Sequence, residues 1–433
     1  MPRSVMVMFA ASLGFFFVTA TTFTSLGYVL YSMVGDLGWS KAAAGLSFSL
    51  LGLACGLASP LPPMLMKVIG TRMTMFAGCL VLAAGFFIAS QIEHLSLFFV
   101  ATALMGIGFS LVAPSPAVYL LATWFPRASS RMIGFYFMTG AAGGIAGPLI
   151  VGSIVGLTGD WRLHWMVMAA ASLGLGAICL LCIRDAVKVE SIEQVKGAGH
   201  HQDGAPAAST WTVRQALRTP SFLILAAIMS VVQLVVTTTH STLVSHIANL
   251  GAGAAPGAIA MSLLAFAGTG AKGFTGTLSE RIDPRRILIA GLSLQAAAMA
   301  LLWSTGDVLV ATAAAAVFGL GWGMAWLSAH ILLLRYFGAA IAGDMTAMAT
   351  TATTVAVLGP IGAGRLADLT GSYAEAMLVF AVLLAGATLA AIIALRAPAA
   401  PPRAIGESHD GRPAPAGIVA AEALEEGELQ PAE

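Results

Sequence analysis

Residues 264–276 read LAFAGTGAKGFTG, an apolar, glycine-rich stretch that contains one lysine, Lys272. Twelve long apolar runs occur along the chain, and Lys272 is the only Lys, Arg, Asp or Glu within any of them. A lysine in the hydrocarbon layer costs about 2.5–3.5 kcal/mol and usually faces a cavity, a partner or a substrate path. Because the runs offer no carboxylate as its partner, we interpret Lys272 as a cation that neutralises an anionic solute. The alternative is that its long side chain extends to the nearby inner loop.

The composition of the whole chain indicates an integral membrane protein. Of its 433 residues, 58% are hydrophobic and only 9% are charged, which a soluble core of ordinary composition does not accommodate. A helix of about 20 apolar residues crosses a hydrocarbon layer of about 30 Å. We therefore predict an all-α membrane protein with twelve transmembrane helices. The predicted spans are residues 5–33, 42–65, 73–92, 95–124, 132–157, 165–183, 222–246, 255–278, 287–303, 308–334, 345–364 and 376–395.

The polar segments predict the topology and the domain boundaries. With a cytoplasmic N-terminus, seventeen Lys and Arg residues lie in inner segments and three, Lys41, Arg162 and Arg365, in outer ones. Because cytoplasmic loops carry an excess of Lys and Arg, we expect both termini inside and the helices in a bacterial inner membrane. The polar break at 184–220 predicts a cytoplasmic linker between two six-helix halves, 1–183 and 221–396, around a central cavity. Residues 397–433, which lack apolar anchors, predict a disordered cytoplasmic tail.

The sequence contains no pattern that predicts metal, cofactor or enzyme chemistry. The four cysteines all fall within apolar runs, where a thiol packs like a small apolar side chain. The pair His200-His201 lies in the predicted linker and is interpreted as part of a solvated loop. We expect no cofactor, no metal ion, no catalytic residues and no nucleic-acid partner.

Glycine and proline residues mark positions where helices pack closely or bend. Small residues at helical spacing let membrane helices approach one another, so the glycines of the fifth run predict tight packing between the two halves. Pro114 and Pro116 in the fourth run predict a bend, either beside the cavity or purely structural. The residues assigned to helix packing are Gly143, Gly147, Pro148, Gly359 and Pro360.

Polar side chains in the seventh, eighth and tenth runs are candidates for solute contact. Thr269 lies three residues before Lys272, on the same helix face. His240 can bind a carboxylate or carry a proton near neutral pH, and the alternative is a buried histidine satisfied by its neighbours. The predicted solute-site residues are Lys272, Thr269, His240, Trp326, Ser328 and His330. Proton coupling without an intramembrane carboxylate has to use an imidazole, Lys272 or the substrate itself.

Two loops resemble a motif of the major facilitator superfamily. Residues 276–281, GTLSER, followed by basic residues at 285 and 286, resemble the cytoplasmic gating loop of that superfamily. The loop after the second run fits the same motif less well, because Lys67 stands where an acid is usual. The resemblance implies the major facilitator fold and a latch between its halves. The gating residues that it implies are Gly276, Glu280, Arg281, Gly70 and Arg72.

Three further stretches resemble the monocarboxylate transporter and oxalate/formate antiporter branch. They are residues 38–40, GWS, 326–328, WLS, and 359–373, GPIGAGRLADLTGSY. The branch uses an arginine of the eighth helix to bind the substrate carboxylate, and the aligned residue is Lys272, which keeps the charge but not the planar, two-pronged donor. Gly268 stands where animal members carry an aspartate associated with proton coupling, and the eleventh run lacks the lysine of the oxalate/formate group. A single cation favours a monoanion over a dianion.

The sequence therefore predicts a secondary transporter, not an enzyme, that moves a small organic anion by alternating access. We expect a monocarboxylate as substrate, a proton or a counter-anion as coupling partner, and a monomer in the lipid bilayer. The main alternative is a proton-coupled drug or metabolite efflux antiporter, because the glycines of the fifth run resemble the antiporter motif of exporters. A less favoured alternative is a solute sensor built on a transporter fold.

Overall fold

The structure is a computed structural model that describes residues 3–125, 129–185, 211–338 and 341–398. Within these ranges, twelve helical segments are long and apolar enough to cross a bilayer, which confirms the predicted all-α architecture. The helices are α1 Arg3–Thr21, α2 Phe23–Leu37, α3 Lys41–Ala58, α4 Leu61–Ser90, α5 Leu95–Val112, α6 Ser115–Trp124, α7 Ser129–Thr158, α8 Trp161–Cys182, α9 Val213–Leu217, α10 Pro220–Ile247, α11 Ala254–Leu278, α12 Pro284–Ser304, α13 Val308–Phe337, α14 Ala342–Ala352, α15 Leu358–Thr370 and α16 Ala374–Ile393. A π-helical turn, Ala248–Ala252, follows α10, and a 3₁₀ turn, Thr353–Val357, joins α14 to α15.

Most of the predicted linker and tail lies outside the described residues. This holds for residues 186–210, which include His200-His201, and for residues 399–433. The described part of the linker contains the short helix α9, which the sequence analysis did not predict. A capping box begins this helix: the Thr212 hydroxyl accepts a hydrogen bond from the Gln215 N–H, and the Gln215 side chain accepts one from the Thr212 N–H.

The third span begins earlier than predicted. α4 begins at Leu61 rather than at residue 73, with prolines in its first turn, where a missing N–H costs no helical hydrogen bond. The helix is interrupted at Gly70, whose φ of 78° is a conformation that glycine adopts without steric cost. Beyond the interruption, the Thr71 N–H donates to the two carboxylate oxygens of Asp185 at 3.1 and 3.3 Å. Asp185, which follows the sixth span, therefore caps the part of α4 that begins after Gly70.

Two further spans of the N-terminal half are broken. The fourth ends as α5 at Val112 and resumes as α6 at Ser115, around the prolines that predicted a bend. The first breaks between α1 and α2 at Thr22, whose ψ of −93° is not helical. Next to this break, the Thr24 hydroxyl donates to the Thr19 carbonyl at 2.9 Å. Such bonds satisfy carbonyl groups that a broken helix would otherwise leave unpaired inside a membrane.

The glycines of the fifth span pack mainly within their own half, which corrects the predicted packing between the halves. A Cβ atom at Gly143 would overlap the carbonyl oxygen of Phe16, and one at Gly147 would overlap that of Ala20, so both glycines allow α7 to lie against α1. Pro148 is buried in the same uninterrupted helix. By contrast, Gly152 faces α11 of the other half. The spacing of the glycines predicted a close helix neighbour but did not identify it.

The two halves are joined at one end of the bundle, which we call the far end. There the carboxylate of Asp368 on α15 accepts hydrogen bonds from the N–H groups of Lys41 and Ala42 on α3, at 2.8 and 2.9 Å. Nearby, Gly45 lies directly against the carbonyl group of Pro360, so α3 and α15 touch backbone to backbone. Gly359 packs within its own half, against Thr238 of α10.

The opposite end, which carries Asp185 and Arg396, is called the linker end. Hydrogen bonds here tie helices of the same half together. Trp124 Nε1 donates to the Arg184 carbonyl within the N-terminal half, and the Arg335 guanidinium donates to the Ser279 carbonyl within the C-terminal half, at 2.7 and 2.6 Å.

The close contacts between the halves pair α3 with α15, α7 with α11 and α2 with α10.

Candidate substrate site

A cavity of about 800 Å³ lies between the two halves. Helices α1, α2 and α7 line it from the N-terminal half, and α10, α11 and α13 line it from the C-terminal half. Along α11 the lining extends from Ala265 to Gly273, toward the linker end. The lining residues are Phe15, Thr19, Phe23, Thr24, Phe137, Met138, Gly140, Ala141, Gly144, His240, Ala265, Thr269, Gly270, Lys272, Gly273 and Trp322.

Lys272 lies in this cavity with its ammonium group against an aromatic ring. Its Nζ atom is 3.8 Å from the centroid of the Trp322 ring, a distance typical of a cation–π contact. No carboxylate pairs with this ammonium in the part of the chain that the structure describes. Because the lining residues include no Asp or Glu, the cavity holds a cation without a protein counter-charge.

The indole of Trp322 fits beside Lys272 because the residue one helical turn before that lysine is a glycine. A Cβ atom at Gly268 would lie 2.9 Å from Cε3 of Trp322, closer than real Cβ contacts. The Trp322 Nε1–H is buried and has no hydrogen-bond partner in the structure. The absence of an acid at position 268 thus leaves room for the ring and keeps the site free of negative charge.

His240 approaches the same ring from α10. Its Nδ1 atom lies 2.8 Å from the Val236 carbonyl, so we assign the Nδ1 proton to this bond, because a carbonyl only accepts. The centroids of the His240 and Trp322 rings are 6.0 Å apart, in an edge-to-face arrangement. In the neutral ring the other nitrogen, Nε2, is an acceptor, and in the charged ring it is a second donor.

Most hydroxyl groups of the cavity are committed to their own helices. Thr269 donates to the Ala265 carbonyl at 2.8 Å and Thr24 to the Thr19 carbonyl at 2.9 Å, so both oxygens remain acceptors only. The hydroxyl of Thr19 is different, because it is buried and has no partner among the described residues. Among the described residues that line the cavity, the side-chain donors without a protein acceptor are therefore Lys272 Nζ, Trp322 Nε1 and the Thr19 hydroxyl.

The N-terminal half contributes aromatic rings to the opposite wall. Phe15 stacks on Tyr136 with ring centroids 4.7 Å apart and meets Phe137 edge-on at 5.7 Å. Phe23 packs edge-on against Phe109 at 5.3 Å. These rings are held by neighbours in their own half, so the wall is formed without a ligand.

Three predicted solute-site residues, Trp326, Ser328 and His330, are not among the residues that line this cavity. Ser328 is fully buried, and six residues at about 100° each place it on a different face of α13 from Trp322. Trp326 lies one turn further toward the linker end and packs against the core of the C-terminal half. His330 bonds the Trp326 carbonyl through Nδ1 at 2.8 Å, and its ring lies 4.9 Å from the Trp326 ring.

The predicted gating residues lie at the linker end, apart from the cavity. Glu280 and Arg281 are exposed, and neither forms an ion pair with a described residue. A Cβ atom at Gly276 would meet no other atom within 4 Å, in contrast to Gly70, where the backbone requires glycine. The Nε atom of Arg72 is buried and lacks a hydrogen-bond partner. Among the described residues, no hydrogen bond of these gating residues joins the halves. The bonds that do so include those of Asp368 with α3 at the far end and one from Ser262 on α11 to the Ile145 carbonyl on α7.

Sequence reasoning missed Trp322 and the phenylalanine wall. A usable signal for Trp322 was its position between Gly319 and Gly323, since glycines at helical spacing mark the face that approaches a neighbouring helix. In the structure, a Cβ atom at either glycine would overlap the backbone of α11. The phenylalanines carried no such signal, because eleven of the twelve predicted spans contain aromatic residues.

A membrane protein with two helical halves, joined at one end and enclosing a cavity with an isolated cation, has the architecture of a solute transporter. The chain belongs to the Major Facilitator Superfamily, whose family model matches residues 11–357. Among curated proteins, it is similar to the uncharacterized transporter YycB of Bacillus subtilis. The two are 26% identical over 383 residues, which cover 84% of this chain and 88% of the relative.

Solved structures of other transporters share the fold. One is a bacterial homologue of the human lysosomal transporter Spinster in an inward-facing, occupied conformation, with a TM-score of 0.75, 16% identity and coverage of 92% of this chain and 98% of that one. Another is the nucleoside transporter NupG, with a TM-score of 0.68, 14% identity and coverage of 90% and 98%. At these identities the similarity establishes the fold alone.

Proposed function

We propose that this transporter carries a small organic anion, a monocarboxylate, by alternating access, and that Lys272 binds the carboxylate. The observation that supports this most directly is the cation in a cavity whose lining residues include no Asp or Glu. A buried charge without a counter-charge is costly, and a bound anion removes that cost. A cationic solute would meet repulsion from Lys272 in the same place.

The surroundings of Lys272 suit a ligand whose carboxylate group faces α11. Trp322 covers one side of the ammonium group, so the remaining hydrogens are available to a ligand on the other side. Trp322 Nε1 and the Thr19 hydroxyl are additional donors without a protein acceptor. Thr269 and His240 also line the cavity near Lys272. The Thr269 hydroxyl donates to its own helix, so it can only accept a hydrogen bond, and His240 can donate to a carboxylate through Nε2 only in its charged form.

The resemblance to the monocarboxylate and oxalate/formate branch supports the same substrate class. In that branch the residue aligned with Lys272 is an arginine that binds carboxylate, and the substitution preserves the positive charge. A compact ammonium lacks the two-pronged geometry of arginine and suits a single carboxylate. One cation in the cavity also favours a monoanion over a dianion.

We further propose that the linker end faces the cytoplasm of a bacterium, with both termini inside. The excess of Lys and Arg in the segments at that end supports this orientation. In the conformation described, the halves would then be joined on the outer side. Because the cavity lining contains no carboxylate, coupling would use His240, Lys272, the substrate's own proton or a counter-anion.

Transport by the purified protein in liposomes tests the proposal. Exchange of a labelled monocarboxylate should be measured for a panel of candidate anions with the wild type, Lys272→Ala and Lys272→Arg. We expect at least tenfold slower exchange for Lys272→Ala and partial retention for Lys272→Arg, since the charge is kept. Arg214→Ala, which removes an exposed cation of α9 at the linker end, is the control and should behave as wild type. Unchanged exchange in Lys272→Ala for every accepted anion would refute the proposed role.

A further inference from the structure

We infer that the substrate is a monocarboxylate with an apolar ring as its body, rather than a short or hydroxylated carboxylate. This inference rests on the proposed function and adds the chemical class of the part of the substrate that lies away from the charge. It is drawn from how the two halves divide the lining of the cavity between them.

The charged and apolar parts of the cavity belong to different halves. Lys272, Trp322 and His240 come from the C-terminal half, whereas Phe15, Phe23 and Phe137 come from the N-terminal half. A ligand that binds both walls therefore needs a carboxylate at one end and an apolar surface at the other. Such a ligand contacts both halves at once, which is what a solute has to do if its binding is coupled to their relative movement.

The phenylalanine wall is preformed and suits a ring. Phe15 is fixed between Tyr136, on which it stacks, and Phe137, which meets it edge-on. Phe23 is fixed by Phe109 and Phe48, with ring centroids 5.3 and 6.0 Å away. Aromatic rings prefer such stacked and edge-to-face neighbours, and a ligand ring can extend the same arrangement.

The cavity has few groups for a polyhydroxylated solute. Two of its three threonine hydroxyls already donate to their own helices. A sugar acid would have to leave several hydroxyl groups against phenylalanine rings and glycine backbone, which is unfavourable without hydrogen bonds. A very short carboxylate leaves most of the roughly 800 Å³ without contacts. An apolar ring avoids both problems.

A competition assay with anions of equal charge tests the inference. Binding to the purified protein should be compared for phenylacetate, cyclohexanecarboxylate, acetate and glucuronate, which is a ring carboxylate covered with hydroxyls. We expect the two apolar ring acids to bind at least tenfold more tightly than acetate and glucuronate. If acetate or glucuronate binds as tightly as the ring acids, the inference is wrong, although the anion site itself remains.

Phenylacetamide, which has the ring but no charge, separates this inference from the proposed function. We expect it to bind at least tenfold more weakly than phenylacetate. Equal binding of the amide and the acid would contradict the carboxylate role of Lys272 while leaving the ring preference in place. Failure of every carboxylate to bind would overturn both.

Variants of the aromatic wall give a second, independent test. Phe137 is 47% exposed and Phe135, on the same helix, is 46% exposed, but Phe135 does not line the cavity. Phe137→Ala should weaken phenylacetate binding at least fivefold with little change for acetate, and Phe135→Ala should change neither. Phe15→Leu keeps the apolar volume and should also reduce the preference for rings. A preference that survives both Phe137→Ala and Phe15→Leu in folded protein would contradict the inference.

Discussion

At the scale of single residues, the site depends on how one lysine is accommodated between two spans. Placing Lys272 in the hydrocarbon region costs about 2.5–3.5 kcal/mol. The Trp322 face offsets about 2 kcal/mol of this when the ammonium group is desolvated. Gly268 permits the contact, because any side chain there would meet the indole ring. The remaining cost favours binding of an anion.

Substitution of two tryptophans on the same helix should have different effects on anion binding. Trp322→Ala removes the ring that positions the ammonium group and also the unpartnered Nε1–H donor, and should weaken anion binding about tenfold, which corresponds to about 1.4 kcal/mol. Trp322→Phe keeps an aromatic face and should weaken it less. Trp326→Ala, one turn away and outside the cavity, is the matched control. Calorimetric titration with the same anion measures all three, and a larger loss for Trp326→Ala would contradict the assignment.

The sequence was sufficient to single out Lys272, which lies in the cavity, but it did not identify Trp322 beside it, for a physical reason. A single charge among twelve apolar runs is conspicuous without any knowledge of packing. Whether Trp322 or Trp326 faces the cavity depends on the register of α13 against α11, which is a tertiary property. The same limit explains why Ser328 was assigned to the site although it points elsewhere and is fully buried.

At the scale of helices, the N-terminus of α3 and the C-terminus of α15 meet at the far end. They belong to opposite halves, and each provides partners for unpaired backbone groups of the other. The first N–H groups of α3 have no partners within their helix, and the carboxylate of Asp368 accepts two of them. In return, Lys41 Nζ donates to the Gly371 carbonyl at the end of α15, at 3.0 Å. Each charge lies where the helix dipole favours it. Burial and the nearby carboxylate of Asp368 raise the pKa of Tyr373, which therefore remains a neutral phenol beside Lys41.

We predict that Asp368→Ala opens the far end. Loss of a carboxylate cap costs about 1 kcal/mol, which corresponds to about a fivefold change in the equilibrium between closed and open forms. The readout is the labelling rate of Ser245→Cys, a residue that lines a small cavity beside Lys41, in protein without its native cysteines. Labelling with a membrane-impermeant maleimide should become severalfold faster.

Asp307→Ala is the control for this prediction. Asp307 also lies at the far end and caps a helix, but it accepts from Leu309 and Val310 of its own helix, at 2.8 and 3.0 Å. It should therefore cost stability without changing access to Ser245→Cys. Equal acceleration by both variants would mean that the Asp368 bonds do not hold the halves together.

The spans themselves were predictable because an apolar run long enough to cross a bilayer has few alternatives to a helix. Their interruptions were predictable only where the chemistry is local, as at Pro114 and Pro116. The break at Gly70 depends on a distant partner, Asp185, which caps the helix that resumes after it. The break at Thr22 has only local hydrogen bonds and no proline to mark it. The pairing of α7 with α1 was not predictable, because one glycine-rich helix has several neighbours of similar composition.

At the scale of the whole molecule, the described conformation is joined at the far end, and the predicted latch at the linker end is not engaged. Alternating access requires a second state in which the linker end closes and the far end separates. Glu280 and Arg281 are exposed in the present state, which leaves them free to pair across the halves in the other.

Distances between spin labels test this second state. Labels at Val68 and Ile282 report the linker end across the two halves, and labels at Leu157 and Leu309 report the far end; all four side chains are exposed. We expect two populations for each pair, with the shorter linker-end distance accompanying the longer far-end distance. Glu280→Gln combined with Arg281→Gln should reduce the population with the closed linker end. A single population in all conditions would contradict alternating access by rigid halves.

The most direct test of the central claim is anion binding measured by thermal stabilisation of the purified protein. A ligand at one hundred times its Kd stabilises the folded state by about 2.7 kcal/mol, which raises Tm by several degrees. We predict that at least one apolar ring monocarboxylate stabilises the wild type, that Lys272→Ala abolishes the shift and that Lys272→Arg retains part of it. An equal shift in wild type and Lys272→Ala would show that the anion binds elsewhere and that Lys272 is not the carboxylate site.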